Sequence, residues 1–154
     1  MNYQCEIKEQ SVQPVLSIRA HTPVDSLPAL IADSYDKIAT YLAELGAEPA
    51  GAPFAAYYNM DMQDLDVEVG FPVAQAQAGK GEIQAGQVPG GKLAFTIHQG
   101  SYRDIAPAYE ALKQFIEAQG HQPTGVAYEF YLNDPDDTAP EALMTQIALP
   151  LKAT

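Results

Sequence analysis

Apolar and polar residues alternate through several short stretches of this chain, and each stretch predicts a half-buried β-strand. The clearest covers residues 64–71, where large apolar side chains alternate with acidic residues and one glycine. Strand side chains point to opposite faces in turn, so this pattern predicts one buried and one acidic face. Similar patterns predict strands near residues 3–7, 15–18, 54–59, 82–88, 92–98, 125–134 and 143–149.

Two longer segments carry apolar residues at spacings of three and four, which predicts amphipathic helices. Gly46 and Gly120 follow these segments, and Pro49 and Pro123 lie three residues further on, as is typical of helix ends. The predicted apolar stripes are Leu27, Leu30, Ile31, Tyr35, Ile38, Leu42 and Leu45 in the first helix, and Ile105, Ala108, Tyr109, Leu112, Phe115 and Ile116 in the second.

The second half of the chain repeats the first at an offset of 109 − 35 = 74 residues. The offset superimposes Tyr35 on Tyr109, Gly46 on Gly120, Pro49 on Pro123, Gly51 on Gly125, Tyr57 on Tyr131 and Asn59 on Asn133. We therefore expect one α+β domain, residues 1–154, built from two pseudo-twofold βαββ repeats at about 1–73 and 82–154. Residues 74–81 would be the linker. Helices on one face of an antiparallel sheet would leave the other face to line a ligand groove between the repeats.

One residue in the stretch 125–134 does not fit the strand pattern. Glu is a poor strand former, yet Glu129 lies within an aromatic run, and the repeat places Ala55 at the equivalent position. If Tyr128 and its apolar neighbours face the helices, then Glu129 and Tyr131 face the groove, together with Ala55 and Tyr57. Such a pocket suits a flat or lipophilic cation. The alternative for Glu129 is a solvated outward side chain.

Charge and composition limit the classes of partner that we expect this chain to bind. The net charge is −12 with only eight Lys and Arg, which disfavours direct nucleic-acid binding. No apolar run approaches the roughly 20 residues that span a bilayer, and the first residues do not resemble a secretory signal. A single cysteine, Cys5, fits a reducing cytoplasm. The three histidines lack ligand spacing, so we expect neither a metal site nor a cofactor.

Three segments together resemble a known family: His98-Gln99-Gly100-Ser101-Tyr102, the run from Tyr128 to Pro135, and Ile147 to Leu151. The chain is similar to GyrI-like small-molecule-binding domains, which also form the effector-binding domains of AraC- and MerR-type multidrug-sensing regulators. The resemblance implies a groove between the two halves for hydrophobic, often cationic or aromatic, compounds. It also implies a buried glutamate on the penultimate strand, at Glu129. In the regulators the domain is fused to a helix-turn-helix, for which we expect no segment here.

Three hypotheses for function follow. The first is binding of such compounds for sensing or sequestration. The second, since some family members resemble hydrolases of cyclopropane-bearing toxins, is hydrolysis with Glu129 as general acid or base and Tyr131 or Tyr57 orienting substrate or water. The third is an interaction protein like a gyrase inhibitor. A separate regulator or gyrase is a possible protein partner, and a monomer and a homodimer remain open.

Overall fold

The computed structural model describes residues 3–133 and 137–153. Asp134 and Pro135, which end the second quoted motif, lie outside the described residues. No helix in the described part of the chain is long and apolar enough to cross a membrane. In chain order the elements are β1 Glu6–Gln10, β2 Gln13–Thr22, α1 Leu27–Leu45, β3 Phe54–Tyr57, β4 Leu65–Pro72, β5 Gln84–Val88, β6 Gly91–Gln99, α2 Ala106–Ala118, β7 Ala127–Tyr131 and β8 Met144–Pro150.

The predicted α+β class is confirmed, because two helices accompany antiparallel strands. Helix α1 ends where the pattern predicts, since Gly46 adopts the left-handed conformation with φ of 68°. Helix α2 ends one turn-forming residue before Gly120, which has φ of 79°. Each predicted strand is found within a few residues of its expected place.

The chain divides into two compact units, of which one is residues 12–89. Its strands lie antiparallel in the order β5-β2-β4-β3. Helix α1 covers one face of this sheet, with Ile38 and Leu42 packed against Leu16 and Ile18 of β2. These side chains are at most 5% exposed, so they form the core of the unit.

The other unit combines residues 1–11 with residues 90–154. Its strands lie antiparallel in the order β1-β6-β8-β7. Helix α2 covers one face, with Leu112 and Ile116 packed against Ala94 of β6 and Ile147 of β8. The apolar stripe of each predicted helix therefore supplies the core of its own unit.

The two units share one strand order. In each, the helix follows the strand that lies second across the sheet (β2 or β6). After the helix, the chain first forms the strand that lies fourth (β3 or β7) and then the strand that lies third (β4 or β8). The units nevertheless differ from the repeats predicted at 1–73 and 82–154. Strand β1 pairs with β6, and β5 pairs with β2, so each of these strands joins a unit formed mostly by the other half of the sequence. The repeat offset was read from helices and later strands, which is why it did not reveal this exchange.

Residues 74–81, predicted as a linker, belong to the unit 12–89 and lie against α1. The Tyr41 hydroxyl donates to the carbonyl of Ala78 at 2.7 Å, and Lys80 Nζ lies 3.3 Å from Glu44. A Cβ on Gly79 would lie 2.3 Å from the carbonyl oxygen of Ile83, so only glycine fits this turn. Small residues here allow two stretches of backbone to lie close together.

Candidate functional site

Glu129 lies on the helix-covered face of its sheet. It stands opposite Ile147 in the register of β7 and β8, and Ile147 packs against α2. The Tyr109 hydroxyl of α2 donates to Glu129 Oε2, which fixes the direction of the side chain. This is the reverse of the orientation expected from the sequence, because the small Ala127, not Tyr128, is the β7 residue that packs under the helix.

Both carboxylate oxygens of Glu129 are held by tyrosine hydroxyls. Tyr109 donates to Oε2, and Tyr131, two residues along the same strand, donates to Oε1 at 3.0 Å. The ring of Tyr131 also meets Tyr102 edge-on, with ring centroids 5.5 Å apart. The site is therefore a carboxyl group enclosed by three aromatic rings, two of which contact it directly.

Burial raises the pKa of Glu129 above its ordinary value. The hydrogen bonds from Tyr109 and Tyr131 act in the opposite direction, as does the nearby His98, but desolvation is the largest effect. A carboxyl group in this position favours its neutral form more than a solvated glutamate does. A cation placed beside it would reverse that preference, because the charge pair stabilises the ionised form.

The sequence predicted Glu129 and Tyr131 but missed Tyr109 and Tyr102. Tyr109 lies on the predicted apolar stripe of α2, so it was assigned to packing, which it also performs. The signal that marks it is the spacing between a helical tyrosine and a strand glutamate twenty residues later. Tyr102 was visible only as the last residue of the quoted His-x-Gly-x-Tyr motif.

The His-x-Gly-x-Tyr motif positions residues next to the site. His98 is buried, and its Nε2 lies 2.9 Å from the carbonyl of Ser101 while its Nδ1 lies 3.2 Å from the Tyr3 hydroxyl. A carbonyl only accepts, so Nε2 carries the proton. Gly100 has φ of 131°, and the turn it forms places the Ser101 carbonyl at the Nε2 of His98. The same turn places the ring of Tyr102 against the ring of Tyr131.

The remaining predicted site residues, Ala55 and Tyr57, lie in the unit 12–89. They occupy β3 opposite Val69 and Val67, on the face that α1 covers. Ala55 is completely buried, and Tyr57 is partly buried. Their part in a ligand site remains a prediction.

A second carboxylate, Glu68, also accepts from a tyrosine but lies on the sheet face away from α1. It accepts from Tyr58 at 2.5 Å and from Ser17 at 2.6 Å. Arg19 lies 3.9 Å above the Tyr58 ring and forms two hydrogen bonds with Asp66. The aromatic face here already holds a cation from the chain itself, so we interpret this cluster as structural.

An open groove of about 750 Å³ is lined by Tyr3, Asp104, Ala106, Pro107, Glu110, Ala111 and Gln114. None of the predicted site residues lines it, although Tyr3, the hydrogen-bond partner of His98, does. Among the described residues no group of three metal-ligating side chains comes together.

Comparison with protein families gives one decisive observation. A family model described as the GyrI-like small-molecule-binding domain matches residues 3–152, nearly the whole chain. The chain belongs to the GyrI-like family. The predicted resemblance is thereby confirmed, and with it the coarse function of a small-molecule-binding domain. A comparison with curated protein sequences gives no match.

Several solved structures are similar in fold to this chain. The EcmrR C-terminal domain is 25% identical, with a TM-score of 0.86 and full coverage of both chains. EcmrR in a DNA complex is 23% identical with a TM-score of 0.83, and the chain spans 58% of its length. SAV2435 bound to tetraphenylphosphonium is 14% identical with a TM-score of 0.63, covering 99% of this chain and 94% of the other. At these lower identities the likeness establishes the fold.

Proposed function

We propose that this GyrI-like domain binds a lipophilic cation and that Glu129 is the counter-charge. The observation that carries the proposal is the partly buried Glu129 carboxyl, held on both oxygens by tyrosine hydroxyls. Aromatic rings attract cations through their faces, and a poorly solvated carboxylate gains more from a cation than a solvated one does.

Among the side chains that the structure describes, no lysine or arginine forms an ion pair with Glu129. The ion pairs made by the described residues involve Glu6, Asp33, Glu44, Asp64, Asp66 and Glu82, but not Glu129. Burying an unpaired carboxylate is costly, which is why the pKa of Glu129 is raised. A bound cation removes that cost, so the ligand-free protein is set up to gain a positive charge from outside.

Proton release accompanies binding in this proposal. Glu129 favours its neutral form more than a solvated glutamate, and a cation favours the ionised form. Cation affinity should therefore rise with pH across the range where Glu129 loses its proton, and level off above it. An uncharged ligand of the same shape should show no such rise.

Calorimetric titration with tetraphenylphosphonium, and with uncharged triphenylphosphine oxide as a partner of similar shape, tests the proposal. Glu129→Gln should weaken the cation by at least tenfold and leave the neutral compound within about twofold. Glu68→Gln is the matched control, since Glu68 is a tyrosine-bonded carboxylate of the unit 12–89 on the sheet face away from α1, and the change should leave both affinities unchanged. Equal binding of the cation to native protein and Glu129→Gln would refute the proposal.

Hydrolysis is a second candidate, favoured by the raised pKa of Glu129 beside two hydroxyl donors. A carboxyl group with a pKa closer to neutrality is a better general acid or base, and Tyr131 would orient substrate or water. Turnover of an electrophilic probe that is lost in Glu129→Gln, while binding of the probe persists, would establish it. Binding without turnover in the native protein would leave sensing or sequestration in the cytoplasm as the function.

A further inference from the structure

Thr145 on β8 is completely buried, and its hydroxyl has no hydrogen-bond partner among the residues that the structure describes. Buried hydroxyl groups in folded proteins are nearly always paired. An unpaired one destabilises the fold because it loses its contacts with water and gains nothing in return. Such a group is therefore expected to have a use that offsets this cost.

The register of the sheet places Thr145 beside the Glu129 site. Thr145 stands opposite His98 on β6 and opposite Tyr131 on β7. It shares a sheet face with Ile147, the residue opposite Glu129. Thr145 and Glu129 are therefore diagonal neighbours on adjacent strands, which corresponds to about 7–8 Å between their Cα atoms.

The polar groups around Thr145 are engaged with other partners. The two ring nitrogens of His98 contact Tyr3 and the carbonyl of Ser101. The Tyr131 hydroxyl donates to Glu129. The Thr145 hydroxyl, which can both donate and accept, is thus available to a molecule that enters the Glu129 site.

We propose that Thr145 is the second polar contact for a cation bound at Glu129, and that it selects cations bearing an N–H group over quaternary cations. The proposal rests on the function proposed above. A protonated amine directs its charge to Glu129 and its N–H to Thr145 Oγ1. A quaternary cation offers the same charge but no donor, so the hydroxyl stays buried and unpaired.

Entry to this position passes the aromatic rings. Tyr131 stands directly beside Thr145, and its ring meets Tyr102, which is 37% exposed. Tyr102 belongs to the turn that follows His98 and lies outside the strands, so in this proposal its ring is the one that a ligand displaces. The ligand then replaces the edge contact of Tyr102 with its own aromatic surface.

A matched pair of ligands tests the selectivity: protonated 4-phenylbenzyldimethylamine and its trimethylammonium analogue, titrated calorimetrically at pH 7. We expect the native protein to prefer the N–H cation by about tenfold. Thr145→Val keeps the shape of the side chain and should reduce that preference to within twofold. Thr145→Ser keeps the hydroxyl and should retain the preference.

A second measurement needs no ligand. Thr145→Val should raise the melting temperature of the free protein, because it removes an unpaired buried hydroxyl. Thr96→Val is the control: Thr96 is equally buried on the neighbouring strand but donates to the carbonyl of Gln4 at 2.9 Å. That substitution leaves a carbonyl unpaired and should lower the melting temperature.

The outcomes separate this inference from the function on which it rests. If both cations bind as tightly to Glu129→Gln as to the native protein, the proposed function fails and the role of Thr145 fails with it. If binding depends on Glu129 but Thr145→Val leaves the preference intact, only the role of Thr145 is overturned. A lowered melting temperature in Thr145→Val would also overturn it, since it would show that the hydroxyl already has a favourable contact in the free protein.

Discussion

The same pair of positions has different chemistry in the two units of the molecule. In residues 12–89 the helical Tyr35 donates to the backbone carbonyl of Phe54 at 3.1 Å, next to the fully buried Ala55. In the other unit its counterpart Tyr109 donates to the carboxyl group of Glu129. The difference between Ala55 and Glu129 therefore goes with a different role for the helical tyrosine. Tyr35 bonds to the backbone of a filled core, whereas Tyr109 bonds to a carboxyl group.

The surroundings of the two positions explain why only one of them carries an acid. Ala55 lies opposite Val69, and both are completely buried on the sheet face that α1 covers. Glu129 has polar neighbours, among them Tyr131 and the buried His98. The comparison teaches that a buried carboxyl needs several prepared donors, and that a helical tyrosine alone does not provide them.

The largest effect is expected when the first unit is given the acid of the second. Ala55→Glu should destabilise the protein by about 3–5 kcal/mol, because it adds both volume and an unpaired carboxyl group to a filled core. Urea denaturation monitored by circular dichroism measures the change. A loss below about 1 kcal/mol would mean that the two positions are more alike than their neighbours indicate.

Removing the charge from the second unit should have a smaller effect that depends on pH. Burial raises the folded-state pKa of Glu129, so its contribution to stability is greatest below the unfolded-state value and is lost as pH rises through the folded one. Glu129→Gln removes this loss. Its melting temperature should exceed that of the native protein at pH 8 by about 3 °C, which corresponds to roughly 1 kcal/mol for a protein of this size.

The acidic end of the same titration is its internal control. Near pH 4 both proteins have a neutral group at position 129, and their melting temperatures should agree within about 1 °C. If the native protein instead became more stable than Glu129→Gln as pH rises, the carboxylate would be stabilised by folding, contrary to the burial that raises the pKa of Glu129.

The smallest expected effect is the difference between removing the hydroxyl of Tyr35 and removing that of Tyr109. Tyr35→Phe removes one hydrogen bond to a backbone carbonyl and should cost about 1 kcal/mol while leaving tetraphenylphosphonium affinity unchanged. Tyr109→Phe removes one of the two donors that favour the ionised form of Glu129, so it should raise the pKa of that group further. Calorimetry at pH 6 should then show a cation affinity about threefold weaker. Equal affinities for the two variants would contradict this division of roles.

Local patterns predicted most of the fold, because helix stripes, glycine caps and strand alternation depend on neighbouring residues. Gly46 and Gly120 marked the helix ends correctly. The pairing of β1 with β6 was not predictable in this way, since Glu6 and its partner Phe95 are far apart in the sequence and neither carries a pairing signal.

The candidate site was predicted in part. Glu129 was identified because a charged residue interrupts an aromatic strand and has no counterpart in the first half. The predicted orientation of Glu129 was wrong. Both faces of β7 carry apolar or aromatic residues, so the sequence does not say which face the helix covers. The stacked rings of Tyr128 and Phe130, on the face away from α2, make that face look like a core. Thr145 carried no signal at all, since its importance lies in a missing hydrogen bond.

The exchange of strands β1 and β5 bears on how the chain folds during synthesis. Residues 12–89 form a unit that is continuous in sequence, so all of its strands and its helix leave the ribosome together. Strand β1 is made before this unit, yet its pairing partner β6 begins only at Gly91. Strand β1 therefore has no partner strand while residues 12–89 fold. A nascent chain stalled after residue 89 should already protect β2 from hydrogen exchange while β1 exchanges freely.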